Sequence, residues 1–74
     1  MEKTYDPVLI FGKDGCPYTE AAVESFEQRG IAAQYINVKK NPADLERMLQ
    51  LSGGKRRVPV IVEAGKVTVG FGGT

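Results

Sequence analysis

Val8-Leu9-Ile10-Phe11-Gly12-Lys13-Asp14-Gly15-Cys16-Pro17-Tyr18-Thr19 is where the pattern of the chain changes. The apolar run Val8–Phe11 reads as a buried strand. Lys13–Gly15 is a loop, and from Pro17 to about Arg29 the period becomes helical. Ala22, Val23 and Phe26 share one face, while Glu20, Glu24, Glu27 and Gln28 face water. Pro17 suits the first helical position, because its fixed φ matches a helix and its missing N–H has no partner there. Cys16, the one cysteine in 74 residues, is then the N-cap, with free backbone N–H groups aimed at its sulfur. The positive end of the helix dipole favours a thiolate at that point and lowers its pKa. Lys13, three residues upstream, adds a cation. The competing reading is a buried, inert cysteine.

Working outward, Gly30 ends the first helix as a C′ glycine. A second strand is expected at about Gln34–Val38, with Tyr35 half buried. Asn41-Pro42-Ala43-Asp44 has an N-cap, a proline at N1 and an acid in the first turn, so it starts a second helix. Leu45, Met48 and Leu49 form its buried stripe, and Ser52-Gly53-Gly54 stops it. Val60–Glu63, a turn at Ala64-Gly65 and Lys66–Val69 form a β-hairpin. A glycine-rich tail, Gly70-Phe71-Gly72-Gly73-Thr74, closes the chain. The order βαβαββ gives an α/β domain over residues 1–74. A right-handed crossover makes the first two strands parallel, and the closing hairpin is antiparallel. The expected assembly is a four-stranded mixed sheet with two helices packed on it. Ligands of such sheets bind beyond the carboxyl ends of the parallel strands, and Cys16 falls at that edge.

Composition limits the partners. A chain of this length buries only about 60% of its unfolded surface, and 42% hydrophobic residues suffice for a single core. Ten basic against nine acidic residues leave a net charge of +1, with no global field for nucleic acid or an anionic membrane. Met1–Pro7 has no apolar core, so no signal peptide is expected. No apolar run approaches the roughly 18 residues that span a bilayer. A lone cysteine excludes an internal disulfide framework and suits a reducing compartment; a cytoplasmic monomer is the expectation. With no histidine, the usual general base and the commonest metal ligand are missing, and no metal is expected.

Cys16-Pro17-Tyr18-Thr19 after a short strand, with Lys13 upstream and Val58-Pro59 before a hairpin, resembles the glutaredoxin family. The resemblance runs from about Val8 to Phe71 and implies a thioredoxin-like fold, a reactive Cys16, glutathione as co-substrate and a cis Val58–Pro59 bond. The sequence departs from the family in four places. Thr19 stands where two-cysteine members carry the second thiol. Arg57 replaces the usual Thr before Val-Pro. No acidic residue follows Gly72-Gly73, and Gly70-Phe71 is similar instead to the ribonucleotide-reductase-linked redoxins. The C-terminal helix of the family is absent, which leaves one sheet face poorly covered.

A thiolate attacks a disulfide sulfur in line and leaves a mixed disulfide. With one cysteine the second thiol must come from solution. The resemblance therefore implies a glutathione-dependent oxidoreductase working by a monothiol mechanism on glutathionylated or other disulfide-containing substrates. Lys13, Arg56 and Arg57 are the cations for the two glutathione carboxylates. Val58, beside Pro59, offers a strand-like N–H and C=O. Gly70, Gly72 and Gly73 allow close approach to the backbone, and Tyr18 walls the sulfur. Plainer readings stand beside these. Lys55-Arg56-Arg57 suits a solvated loop, Tyr18 an ordinary surface aromatic, and Phe71 packing. Thr19 either fills the first turn or hydrogen-bonds the thiolate. Two other functions remain open: two copies with two glutathiones ligating a [2Fe–2S] cluster, and a non-catalytic thioredoxin-fold interaction module.

Overall fold

A computed structural model of the chain describes residues 8–71. Six elements follow the expected order: β1 (Val8–Gly12), α1 (Pro17–Gln28), β2 (Ala33–Asn37), α2 (Pro42–Ser52), β3 (Val60–Glu63) and β4 (Lys66–Val69). They form one four-stranded sheet in the order β2-β1-β3-β4. β1 pairs parallel with β2, from Val8↔Ala33 to Gly12↔Asn37. β3 pairs antiparallel with β1 on its other side and with β4 in the hairpin. The thioredoxin-like α/β architecture is thus the one expected, and no helix follows β4 among the described residues.

Strand alternation divides the core in two. Val8, Ile10 and Ile61 face α1 and bury Ala22 and Phe26. Phe11 and Val60 face the other way and pack with Met48 of α2 and with Val38. Burying both faces of β1 explains its unbroken apolar run. The caps act as their residues dictate. Asn41 Oδ1 accepts the Ala43 amide at 3.0 Å, and Gly53, at φ 74°, closes α2 in the left-handed region.

The structure adjusts three local expectations. β2 lies one residue earlier than the apolar pattern suggests. Val38 leaves the strand as the chain turns, yet its amide still bonds the Gly12 carbonyl at 2.9 Å and its side chain is buried. Tyr35, expected to be half buried, is 37% exposed, because β2 is an edge strand. The sheet face that carries α1, expected to be poorly covered, is not open: Ile61 is only 5% exposed, Phe71 packs against its cluster, and β4 presents exposed Thr68 rather than an apolar residue. None of the described helices is long and apolar enough to cross a membrane. The readings placed on Met1–Pro7, Gly72 and Gly73 fall outside the described residues.

Candidate active site

Cys16 ends the loop between β1 and α1, with extended backbone at φ −86° and ψ 116°, and Pro17 is the first helical residue. The Cys16 carbonyl accepts the Glu20 amide at 2.9 Å, the first bond of the helix. Its side chain makes no capping bond, and the residue is 8% exposed. The thiol pKa is lowered from its ordinary value. The Thr19 hydroxyl is the first cause, the Thr19 amide the second, and the Tyr18 amide and the Lys13 charge add to them; burial opposes all four. An N-cap sulfur with such donors beside it is the arrangement a reactive thiol calls for.

Thr19 is 2% exposed, and its Oγ1 is buried with no hydrogen-bond partner among the described residues. The hydroxyl favours the thiolate without being committed to a bond of ordinary geometry, so its proton remains free to turn to the sulfur when charge develops. The side chain has little room to move elsewhere. A Cβ at Gly12 would collide with Thr19 Cγ2 and would stand 2.6 Å from Oγ1. Gly12 is therefore a supporting residue that sequence reading missed; an unforced glycine at the end of an apolar strand was the only signal.

On one side of the loop, the Val58–Pro59 peptide is cis. Pro59 is fully buried, and Val58 is half buried. Among the described residues no hydrogen bond engages the Val58 backbone. A hollow of about 280 Å³ adjoins it, where Lys13, Lys39 and Arg56 stand around Val58, Leu45 and Met48. Lys39 is the cation that sequence reading missed. Arg56 and Arg57 are both exposed; Arg56 lines this hollow and Arg57 does not. Gly70, at φ 94°, donates its amide to the Pro59 carbonyl at 2.7 Å. That bond ties Gly70 to the cis-proline. Tyr18 is 42% exposed, and it acts on the thiol through its backbone amide.

On the other side, the Tyr35 hydroxyl donates to Asp14 Oδ1 at 2.8 Å and straps the loop to β2. Burial and the neighbouring Asp14 carboxylate push the tyrosine pKa far upward. Among the described residues no three His, Cys, Asp or Glu side chains gather as a metal site.

The glutaredoxin family model matches residues 8–68. No curated protein matches the chain. Solved structures do. The glutaredoxin grx-1 from Archaeoglobus fulgidus is 26% identical with a TM-score of 0.76, over 88% of this chain and 75% of that one. The glutaredoxin-like NrdH-redoxin from Escherichia coli is 26% identical with a TM-score of 0.77, over 89% and 84%. A buckwheat glutaredoxin–glutathione complex is 30% identical with a TM-score of 0.73, over 86% of this chain and 60% of that one. With its Cys-Pro-Tyr-Thr turn, cis-proline and four-stranded sheet, this chain belongs to the glutaredoxin family, whose chemistry is thiol–disulfide exchange.

Proposed function

We propose that the protein is a glutathione-dependent thiol–disulfide oxidoreductase that works through Cys16 alone. The observation that carries this reading is a thiol of lowered pKa that shares Lys13 with a hollow formed also by Lys39, Arg56 and the unengaged Val58 backbone. Glutathione is anionic, and its peptide unit pairs well with a free strand-like N–H and C=O. The likeness to a glutaredoxin solved with glutathione supports the same ligand here. Thr19 leaves no internal second thiol, so a free glutathione must resolve the adduct on Cys16.

In the first half, Cys16 Sγ attacks the glutathione sulfur of a mixed disulfide. A Cys16–glutathione disulfide forms, the original disulfide breaks, and the substrate leaves as a thiolate that takes a proton from solvent. In the second half, another glutathione thiolate attacks the adduct. Oxidised glutathione leaves and the Cys16 thiolate returns; one half of it came from the substrate and one from solution, so the mixed disulfide and one free glutathione become the substrate thiol and oxidised glutathione. Thr19 and the amides of Tyr18 and Thr19 hold the negative charge at the start and end of each turnover. A lone exchangeable thiol suits a reducing compartment, and we assign the cycle to the cytoplasm and to a monomer.

The test is reduction of a small glutathione mixed disulfide, coupled to glutathione reductase and NADPH oxidation. The protein should turn over and Cys16→Ser should be inactive while keeping its fold, since Ser also caps a helix well. Arg56→Ala should raise the KM for glutathione about fivefold, the effect of roughly 1 kcal/mol from one exposed ion contact. Activity that survives Cys16→Ser would sink the reading.

A further inference from the structure

Two hollows flank the loop that carries Cys16, and their charges are opposite. The one beside cis-Pro59 is basic. The other, a groove of about 480 Å³, runs along α1 beside Tyr35 of β2. Asp14, Glu20, Glu24 and Glu27 line it, with Val23 and the Tyr35 ring as apolar walls. Lys13 stands in both hollows. Thr19 forms part of the groove wall next to the thiol, and its buried Oγ1 has no hydrogen-bond partner among the described residues.

Helix stability does not account for the whole row of carboxylates. Glu20 suits the first turn, but Glu27 stands in the last turn, where the dipole is negative and α1 has no basic residue. Glu20 and Glu24 are four apart, and Glu24 and Glu27 three apart, spacings at which like charges repel. None is neutralised within the fold: among the described residues the ion pair is Arg47 with Asp44, on α2. Asp14 and Glu24 accept hydrogen bonds only from the neutral Tyr35 and Gln28. The charges are also spread out rather than gathered about one point, since no metal-ligating cluster forms among the described residues. A groove with apolar walls and a line of unpaired carboxylates complements an extended polypeptide carrying several cations.

We propose that this groove binds the polypeptide half of the mixed disulfide, and that the segment flanking the substrate's cysteine is rich in lysine or arginine. The inference rests on the oxidoreductase reading of Cys16 and adds its substrate class. Glutathione occupies the basic hollow, and the cationic segment lies across the loop in the acidic groove. The exchange is the one already written: the Cys16–glutathione bond forms, the glutathione–polypeptide bond breaks, and the polypeptide thiolate leaves and is protonated by solvent.

Two labelled peptides of one length test it, each with a single glutathionylated cysteine, flanked by lysines in one and glutamates in the other. Binding to Cys16→Ser is read by fluorescence anisotropy, and kcat/KM is read with the natural protein. The lysine peptide should bind at least about tenfold tighter and react faster, with the gap shrinking as salt is added. Glu24→Gln with Glu27→Gln should narrow the gap, and Glu24→Lys with Glu27→Lys should reverse it. Circular dichroism checks that each variant is folded. Equal binding of the two peptides, or a preference untouched by the charge reversal, overturns the groove. Should both peptides be reduced at one rate with equal binding, the groove falls and the redox reading stands. Should neither be reduced while the lysine peptide still binds through Glu24 and Glu27, the groove stands and the redox reading falls.

Discussion

Thr19 is the residue whose hydroxyl does most to lower the Cys16 pKa. Thr19→Val keeps the shape of the side chain and removes that hydroxyl, so the titration midpoint of Cys16 should rise. The rate of iodoacetamide alkylation against pH measures it; an unmoved midpoint would leave the backbone amides and the Lys13 charge as the causes. The same shift links to stability. The folded thiol has a lower pKa than an unfolded cysteine, whose value is about 8.5. The thiolate therefore stabilises the fold fully above that value, and the contribution is lost as pH falls through the folded midpoint. Urea unfolding should show the natural protein gaining on Cys16→Ser as pH is raised across that window. Gly12 acts at this scale as well. Gly12→Ala places a Cβ against Thr19 and should cost about 1–3 kcal/mol, as overpacking does. Combined with Thr19→Ala it should cost less than the two changes summed, and thermal melts of the four proteins close the cycle.

Among the elements, the β3–β4 hairpin carries the clearest local strain. Its two turn residues, Ala64 and Gly65, both have positive φ, 53° and 80°. That geometry matches the twist of the flanking strands and favours Asn-Gly. Glycine adopts it freely, whereas alanine is opposed by its Cβ. Ala64→Asn should therefore stabilise the protein by up to about 1 kcal/mol. A higher melting temperature with unchanged thiol chemistry is the expected result, and a lower one would deny that the turn is strained. The loop between β1 and α1 is held differently, by Tyr35 of β2 reaching Asp14. One element thereby sets the position of the loop that presents Cys16 from another.

Among the described residues the core is two small clusters on opposite faces of one sheet, joined through β1 and β3. Neither cluster has depth to spare in a chain of 74 residues. Ile10 is fully buried in the central strand and packs with Ala22 and Phe26. Ile10→Ala should cost about 2–5 kcal/mol, a large share of the roughly 5 kcal/mol at the low end for folded domains. The variant should be substantially unfolded or melt far below the natural protein by circular dichroism; a melt within a few degrees would show that the α1 face is not the main support.

Element order, the N-cap position of Cys16, the cap at Asn41 and the bounds of the hairpin were all readable from the chain. Each depends on neighbours a few residues apart: the spacing of apolar side chains, a proline at N1, a glycine after a helix. The family motif carried the fold and the cis-proline further than periodicity alone could. The rest was decided by tertiary structure. Parallel pairing of Ile10 with Tyr35 puts Tyr35 beside α1 and within reach of Asp14, 21 residues earlier. The turn after β2 sets Lys39 at the same hollow as Arg56, while Arg57, the next residue, does not line it. Folding α1 back over β1 sets Thr19 on Gly12 and separates an acidic groove from a basic hollow in a chain whose net charge is only +1. Caps and periods are properties of adjacent residues. Which charges share a hollow depends on strand register and on the faces two helices choose, and those are settled only when the core closes.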